Sequence, residues 1–188
     1  MTNTEDRLKW ETLSSEYIIK KPWATMRRDT CRMPDGKIVD DYYVLEYSDW
    51  ANAVAITEDN EVLLIKQYRH AADVVLLEIP GGVIDAGEDP KTAIKRELLE
   101  ETGYLFEDLE LISTMYPNPS TGTNTCHGFL ARGGKLVQGQ KLDAHEEIIV
   151  EKVSIPELKR LLAEGKFGQA LHISALFYAL VKLGEVKM

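Results

Sequence analysis

The order of the apolar patterns along the chain predicts an α+β fold. Runs of alternating or β-branched residues, which are typical of strands, come mostly in succession. One helical segment is set between them and two more follow near the C-terminus, which disfavours a regular βαβ sheet. The 188 residues, 44% of them apolar and 28% charged, are sufficient for one core of ordinary globular composition.

Seven segments have the pattern of strands. Their approximate ranges are residues 41–47, 53–57, 62–68, 76–79, 109–116, 126–131 and 148–153. Residues 58–60 have turn composition, so the second and third segments are predicted to form a hairpin. The fourth stops at Pro80-Gly81-Gly82, where the chain is predicted to enter a loop.

Three segments carry helix signals. Asp89 can cap free amides and Pro90 gives up no bonded amide at the first helical position, so a helix is predicted to begin there and to end at Gly103. Ser154 and Glu157 have the form of a capping box, which predicts a helix to about residue 164. A last helix is predicted over about residues 169–183.

Charge and composition exclude several classes of protein. The formal net charge of -9 disfavours a nucleic-acid-binding surface, which depends on clustered Lys and Arg. The first residues lack the apolar core of a signal peptide, and no apolar run is long enough to span a membrane, so we expect a cytoplasmic protein. Cys31 and Cys126 lie far apart, without the spacing of a zinc site or a disulfide framework, and are expected to be free thiols.

Three glutamates are predicted to share one face of the first helix. With ~100° per residue, Glu97, Glu100 and Glu101 lie at about 0°, -60° and +40°, while Ile94 and Leu98 give an adjacent apolar edge. The like-charged Glu97 and Glu101 would cost roughly 0.2–0.5 kcal/mol, and acids in the last turn meet the negative end of the helix dipole. A bound cation reverses both effects, and Mg²⁺ prefers carboxylate oxygens. The alternative is a solvated acidic face.

The sequence around these glutamates resembles the Nudix box. The resemblance covers residues 82–104 and matches the box in type and spacing at eight positions: Gly82, Glu88, Arg96, Glu97, Leu98, Glu100, Glu101 and Gly103. Tyr104 departs from it, since the family prefers an aliphatic residue there.

The resemblance implies a Nudix α/β/α sandwich with a mixed central sheet. The Nudix domain would occupy residues 49–188, and residues 1–48 would form a β-rich N-terminal dimerisation segment. Glu97, Glu100 and Glu101 are expected to be metal ligands or their neighbours, completed by the Gly81 carbonyl. Glu88 and Arg96 would be the orienting pair, and the implied catalytic set includes Arg96, Glu100 and Glu101, with Mg²⁺ as cofactor and Mn²⁺ able to substitute.

The similarity extends beyond the box and resembles the ADP-ribose pyrophosphatase branch. It rests on residues 52–56, 62–70 and 78–82, and on Pro119, fifteen residues beyond the box. It implies hydrolysis of the pyrophosphate bond of ADP-ribose or a related nucleoside diphosphate sugar. Residues 117–122 lack the branch's usual Pro-Gly pair, so GDP-mannose or another sugar nucleotide remains an alternative. A non-catalytic ADP-ribose sensor is disfavoured because every acid of the box is present.

Candidate substrate contacts lie outside the box. Arg69 ends a predicted strand and is the first candidate for a phosphate contact, followed by Arg27 and Arg28, because guanidinium groups suit bidentate phosphate binding. In this branch a base stacks on aromatic residues of an N-terminal segment exchanged across a homodimer, and Trp23 occupies the matching place. The alternatives are surface arginines and a tryptophan used in core or dimer packing.

The catalytic base is expected outside the box as well. Residues 143–147 precede a predicted strand, where related pyrophosphatases place a mobile loop with a glutamate. Glu146 fits this role best and Glu147 next, the alternative being a solvated turn. His127 and His145 are not expected to be ligands, since Mg²⁺ prefers oxygen.

Overall fold

The computed structural model describes residues 7–187 in eleven strands and three helices. The strands are β1 Glu11–Lys21, β2 Ala24–Arg32, β3 Ile38–Glu46, β4 Trp50–Thr57, β5 Glu61–Arg69, β6 Val74–Glu78, β7 Gly81–Val83, β8 Tyr104–Leu105, β9 Asp108–Met115, β10 Cys126–Leu136 and β11 Ile148–Ser154. The helices are α1 Pro90–Thr102, α2 Ile155–Ala163 and α3 Ala170–Lys182. These elements fall into two compact units, one ending at Tyr47 and including Tyr116–Asn124, the other formed by the rest of the chain.

The first unit is an antiparallel sheet in the order β1-β2-β3. The segment Tyr116–Asn124 belongs to it because Leu45 donates its amide to Thr121 and accepts one from Thr123, at 2.7 and 3.1 Å. The β-rich N-terminal segment is therefore present, although its first two strands were not among the predicted ones. Every residue of β1 is exposed, so no buried face imposes an alternating pattern on its sequence.

The second unit is built on an eight-stranded mixed sheet. Its main path is β11-β5-β4-β10-β8, with β6 on β5, β7 on β4 and β9 on β10. Only the β4–β10 pair of this sheet is parallel. The predicted hairpin is confirmed as β4–β5, in which Ile56 pairs with Val62 and Asn60 takes a positive φ in the turn.

Apolar side chains lie on both faces of this sheet and form two cores. Along β4, Ala51, Ala53 and Ala55 pack with the apolar edge of α1, while Val54 and Ile56 pack on the opposite side with α2 and α3. Since successive side chains of a strand point to opposite faces, buried strands with period two on each face require helices on both sides. The α/β/α sandwich with a mixed sheet is confirmed.

The three predicted helices are present with ends within one or two residues of the predicted ones. Asp89 accepts the amides of Lys91 and Thr92 at 3.0 and 3.2 Å, and Gly103 ends α1 in the left-handed conformation. At α2, Ser154 accepts the amide of Glu157 at 3.3 Å. In the part of the chain that the structure describes, no helix is long and apolar enough to cross a membrane.

Candidate active site

The two glycines that begin β7 lie against the acids of α1, and they form a short strand paired with β4 where a loop was predicted. At Gly81 the φ is +154°, and a Cβ would lie 2.3 Å from the Ala51 carbonyl oxygen, so only glycine fits. The Gly81 amide donates to Glu101 Oε2 at 2.8 Å. A Cβ on Gly82 would lie 2.5 Å from the Glu97 carboxylate. The missing side chain of Gly82 therefore lets the Glu97 carboxylate approach the backbone, and that of Gly81 lets the β4 backbone lie close.

Arg96 connects the remaining acids of the site. Its guanidinium donates to both carboxylate oxygens of Glu88, at 3.2 and 3.0 Å, and to Glu97 at 2.8 Å and Glu100 at 3.3 Å. A further bond to the Val83 carbonyl at 3.2 Å ties it to β7. These bonds raise the pKa of Arg96 and lower that of Glu88. Arg96 is thus a permanent cation that fixes the orientation of Glu97 and Glu100.

Burial makes two of the three helix acids unfavourable as isolated anions. Glu101 is 3% exposed, and its burial raises its pKa well above the ordinary value, although the Gly81 amide opposes the effect. Burial also raises the pKa of Glu97, and Arg96 offsets part of that rise. The negative charge of Glu146 makes a smaller contribution in the same direction to both pKa values. A cation here would relieve the desolvation and the repulsion together.

The carboxylates of Glu97, Glu100 and Glu101 suit a hard divalent cation, but they do not converge on one point in this structure. Within residues 7–187, no three Asp, Glu, His or Cys side chains are arranged to hold a metal ion. The reason is visible in the contacts, since Arg96 engages Glu97 and Glu100 while the Gly81 amide engages Glu101. The carboxylate oxygens of α1, next to Gly81 and Gly82, nevertheless have the chemistry of ligands for an oxygen-coordinated ion. Rotation of the glutamate side chains would be needed to bring these oxygens onto one ion.

A second charged pair lies at the end of β5. Arg69 donates to both oxygens of Glu78, from Nε at 3.0 Å and from Nη2 at 2.6 Å, and the Glu78 side chain is fully buried. Among the described residues Nη1 of Arg69 has no hydrogen-bond partner. The bonds to Glu78 raise the pKa of Arg69, and the charges of Glu101 and Glu146 contribute to the rise. The Arg69 guanidinium is therefore held rigidly in the field of the site.

His172 of α3 supports this pair from the core. Its Nδ1 accepts the amide of Ile79 at 3.3 Å and lies 3.8 Å from Glu78 Oε2. Burial lowers the pKa of His172 to about 4, against the attraction of Glu78, so the ring is neutral near pH 7. It thereby fixes the strand end that leads into Pro80 and Gly81.

Glu146 lies in the loop between β10 and β11. Its carboxylate accepts the amide of Asp143 at 3.2 Å, and its own amide donates to the Asp143 carbonyl at 3.0 Å. His145 and Glu147 of the same loop are exposed. This loop is joined to the end of α1, because Lys141 donates its amide to the Glu100 carbonyl at 2.8 Å.

Four of the predicted substrate contacts belong to the first unit. Trp23 is 85% exposed in the turn between β1 and β2. Arg27 is ion-paired with Asp29 and Glu46. The other two are Arg28, paired with Glu16 at 2.6 Å and Asp41 at 3.6 Å, and Pro119, which occupies a turn closed by the Gly122 amide on Asn118. Both arginines already have acidic partners within their own sheet.

The remaining titratable candidates have structural surroundings. His127 approaches the hydroxyls of Thr114 and Thr125 at 3.4 and 3.2 Å. Cys31 and Cys126 are free and buried, and burial raises the pKa of Cys126 to about 11. The expectation of free thiols is confirmed.

Two family models match the chain. The model of the nucleoside diphosphate sugar hydrolase N-terminal domain matches residues 10–45, and the NUDIX domain model matches residues 49–174. The chain belongs to the Nudix family. Together the two matches make it a Nudix hydrolase of the nucleoside-diphosphate-sugar group, as the box and the residues outside it had indicated.

Similar proteins cover nearly the whole Nudix chain. An ADP-ribose pyrophosphatase of Mycobacterium tuberculosis is 30% identical over 170 residues, covering 89% of this chain and 81% of its own. A GDP-mannose pyrophosphatase of Yersinia enterocolitica is 28% identical over 187 residues, covering 92% of this chain and 95% of its own. A solved structure of an ADP compounds hydrolase superposes with a TM-score of 0.82 at 24% identity, over 95% of this chain and 97% of that one, which supports the fold.

Three residues near the Nudix box were not among the candidates from sequence. Glu78 had a visible signal, a charged residue ending an apolar strand immediately before the glycine turn. His172 is a single histidine in an apolar helix, which predicts only a buried ring. Gln140, whose contacts with α1 are described below, has no local signal because its partners are backbone carbonyls remote in sequence.

Proposed function

We propose that this Nudix hydrolase cleaves the pyrophosphate bond of ADP-ribose or a closely related nucleoside diphosphate sugar, with Mg²⁺ as its metal and Mn²⁺ able to substitute. The products would be a nucleoside monophosphate and a sugar phosphate. The similarity to an ADP-ribose pyrophosphatase over 89% of the chain supports the substrate.

The main support for the proposal is the position of Glu97 and Glu101 next to Gly81 and Gly82 of β7. The Glu101 carboxylate is buried, that of Glu97 is half-buried, and both have raised pKa values. Glu97 lies where a Cβ of Gly82 would be, and Glu101 accepts the Gly81 amide. Such an acidic pocket is costly in a protein without a cation, and a metal that bridges to a substrate diphosphate is the usual compensation.

Glu97, Glu100 and Glu101, with the Gly81 carbonyl, would hold the metal. When bound, it neutralises phosphate oxygens, polarises phosphorus and lowers the pKa of a coordinated water. Arg96 keeps Glu97 and Glu100 oriented through its bonds to both.

Arg69 and Glu146 would act on the substrate directly. Held by Glu78, Arg69 presents Nη1 to a phosphate oxygen without losing side-chain entropy on binding. Glu146 would accept a proton from the attacking water while the water oxygen bonds to phosphorus and the bridging P–O bond breaks. Its charge already acts on Glu97, Glu101 and Arg69.

The first unit would contribute the base site and a dimer contact. Trp23 is exposed enough to stack on a nucleobase, with Arg27, Arg28 and Pro119 as further candidate contacts. We assign residues 1–48 to this dimerisation segment and residues 49–188 to the hydrolase domain of a cytoplasmic homodimer. Strand β1 is exposed over its whole length and carries large apolar side chains, as expected of a surface covered by a second copy. A sedimentation mass of one chain would contradict the dimer.

GDP-mannose is the second candidate substrate, because a GDP-mannose pyrophosphatase covers as much of the chain. The test is a panel of ADP-ribose, ADP-glucose, GDP-mannose, NADH and diadenosine polyphosphates with Mg²⁺, scored by chromatography of the products. We expect AMP release from ADP-ribose to be fastest. Binding of ADP-ribose without any product would instead identify a sensor.

The matched pair of variants is Glu101→Gln and Glu107→Gln. The amide oxygen of Gln can still accept the Gly81 amide, so the first variant should fold but lose Mg²⁺-dependent AMP release. Glu107 is exposed and paired with Lys95, so its variant should keep wild-type activity. Full activity of Glu101→Gln would refute the assignment.

A further inference from the structure

The C-terminal end of α1 is wrapped by the chain that leaves β10. The Gly103 carbonyl accepts the amides of Val137 and Gln138 at 3.0 and 3.4 Å, and the Glu100 carbonyl accepts that of Lys141 at 2.8 Å. The last carbonyls of a helix have no partners within it, so these bonds fix the loop to the helix end.

Gln140 completes this arrangement with its side chain. One Nε2–H donates to the Glu101 carbonyl at 2.7 Å and the other to the Ile148 carbonyl at 3.1 Å. Both amide hydrogens are thus used. One bond reaches the backbone of a metal-ligand candidate, and the second reaches the first residue of β11.

These two bonds close the base of the segment 141–147. Glu146 lies two residues before Ile148, and the reciprocal bonds with Asp143 make its turn compact. A short turn closed at its base moves as one body, so the position of the Glu146 carboxylate depends on the bonds of Gln140.

We propose that Gln140 is a positioning residue that sets the distance between the Glu146 loop and the metal-binding end of α1. The proposal rests on the proposed function in that Glu146 is the base. Both side-chain hydrogen bonds found for Gln140 among the described residues go to backbone carbonyls, so the role proposed for it is to hold the loop that carries Glu146.

The matched variants are Gln140→Ala and Gln138→Ala. Gln138 lies two residues away in the same loop and bonds the helix through its main-chain amide, which the substitution retains. We expect Gln140→Ala to lower kcat about tenfold with KM within about twofold, since a displaced base affects the chemical step more than binding. Gln138→Ala should match the wild type. Gln140→Glu, equal in length but unable to donate to two carbonyls, should lose at least as much.

A double-variant cycle with Glu146→Gln separates positioning from a general structural role. If Gln140 acts through Glu146, adding Gln140→Ala to Glu146→Gln causes no further loss. Losses that multiply, full activity of Glu146→Gln, or equal activity of Gln140→Ala and Gln138→Ala would each overturn the proposal.

Amide hydrogen exchange gives a readout that needs no substrate. Residues 141–147 should exchange faster in Gln140→Ala than in Gln138→Ala, with the exchange of the central strands unchanged. Failure of the proposed function would show in the wild type as absence of turnover on every substrate. In that case the exchange comparison would still test whether the bonds of Gln140 hold the loop. Unchanged protection of residues 141–147 would refute this.

Discussion

The neutral, buried His172 predicts a specific dependence of stability on pH. Its side chain is nearly inaccessible, and burial lowers its pKa from 6.5 to about 4. Between these two values the unfolded chain binds a proton that the folded protein does not, so the free energy of unfolding rises with pH. The slope contributed is at most about 1.4 kcal/mol per pH unit, and the whole window is worth about 3 kcal/mol.

The perturbation is His172→Asn, compared with the wild type over the same pH range. The Asn oxygen can still accept the Ile79 amide, but it does not titrate, so the variant should lose the slope between about pH 4 and pH 6.5. Urea unfolding at a series of pH values measures it, and subtracting the variant from the wild type cancels Glu97, Glu101 and the other shared groups. An unchanged slope in His172→Asn would refute the account of a buried neutral ring.

Two more predictions concern the metal-binding end of the site. Gly82→Ala should weaken Mn²⁺ binding about 10- to 100-fold in calorimetry, because the new Cβ meets the Glu97 carboxylate; Gly139→Ala, where the Cβ meets nothing, should bind normally, and equal affinities would contradict this reading. Mg²⁺ should raise the melting temperature more at about pH 8 than at about pH 5.5, because raised pKa values let protons compete for Glu97 and Glu101 at low pH; an equal rise at both would argue against these ligands.

Local signals predicted the catalytic helix well. Asp89, Pro90 and Gly103 define α1 to within a residue because helix caps act over one turn of chain. The long buried strands β4 and β5 were predicted from their apolar and β-branched runs. Strand β1 was not predicted, since it is exposed over its whole length and needs no apolar face, and β2 was not predicted either.

Contacts that depend on tertiary register could not be predicted in this way. The Arg69–Glu78 ion pair joins two residues that are not opposite each other in the β5–β6 hairpin, where Glu78 pairs with Ile65, so it depends on the direction of the side chains. The carboxylates of α1 were predicted on one face, but their orientation is decided by Arg96, which engages Glu88 and the Val83 carbonyl at the same time. Gln140 depends on the path of a loop, which propensity does not define.

The alanine side chains of β4 make the two sides of the sandwich differ in their sensitivity to side-chain size. The methyl groups of Ala51, Ala53 and Ala55 determine how closely α1 packs on the sheet. They therefore also determine the distance from Glu97 and Glu101 to the glycines of β7, which pairs with β4. A larger residue there would lift the helix and carry its acids away with it. On the opposite face, aliphatic side chains pack with α2 and α3, and the acids of α1 do not rest on them. Larger side chains are therefore expected to disturb the site more on the α1 side of this sheet than on the side of α2 and α3.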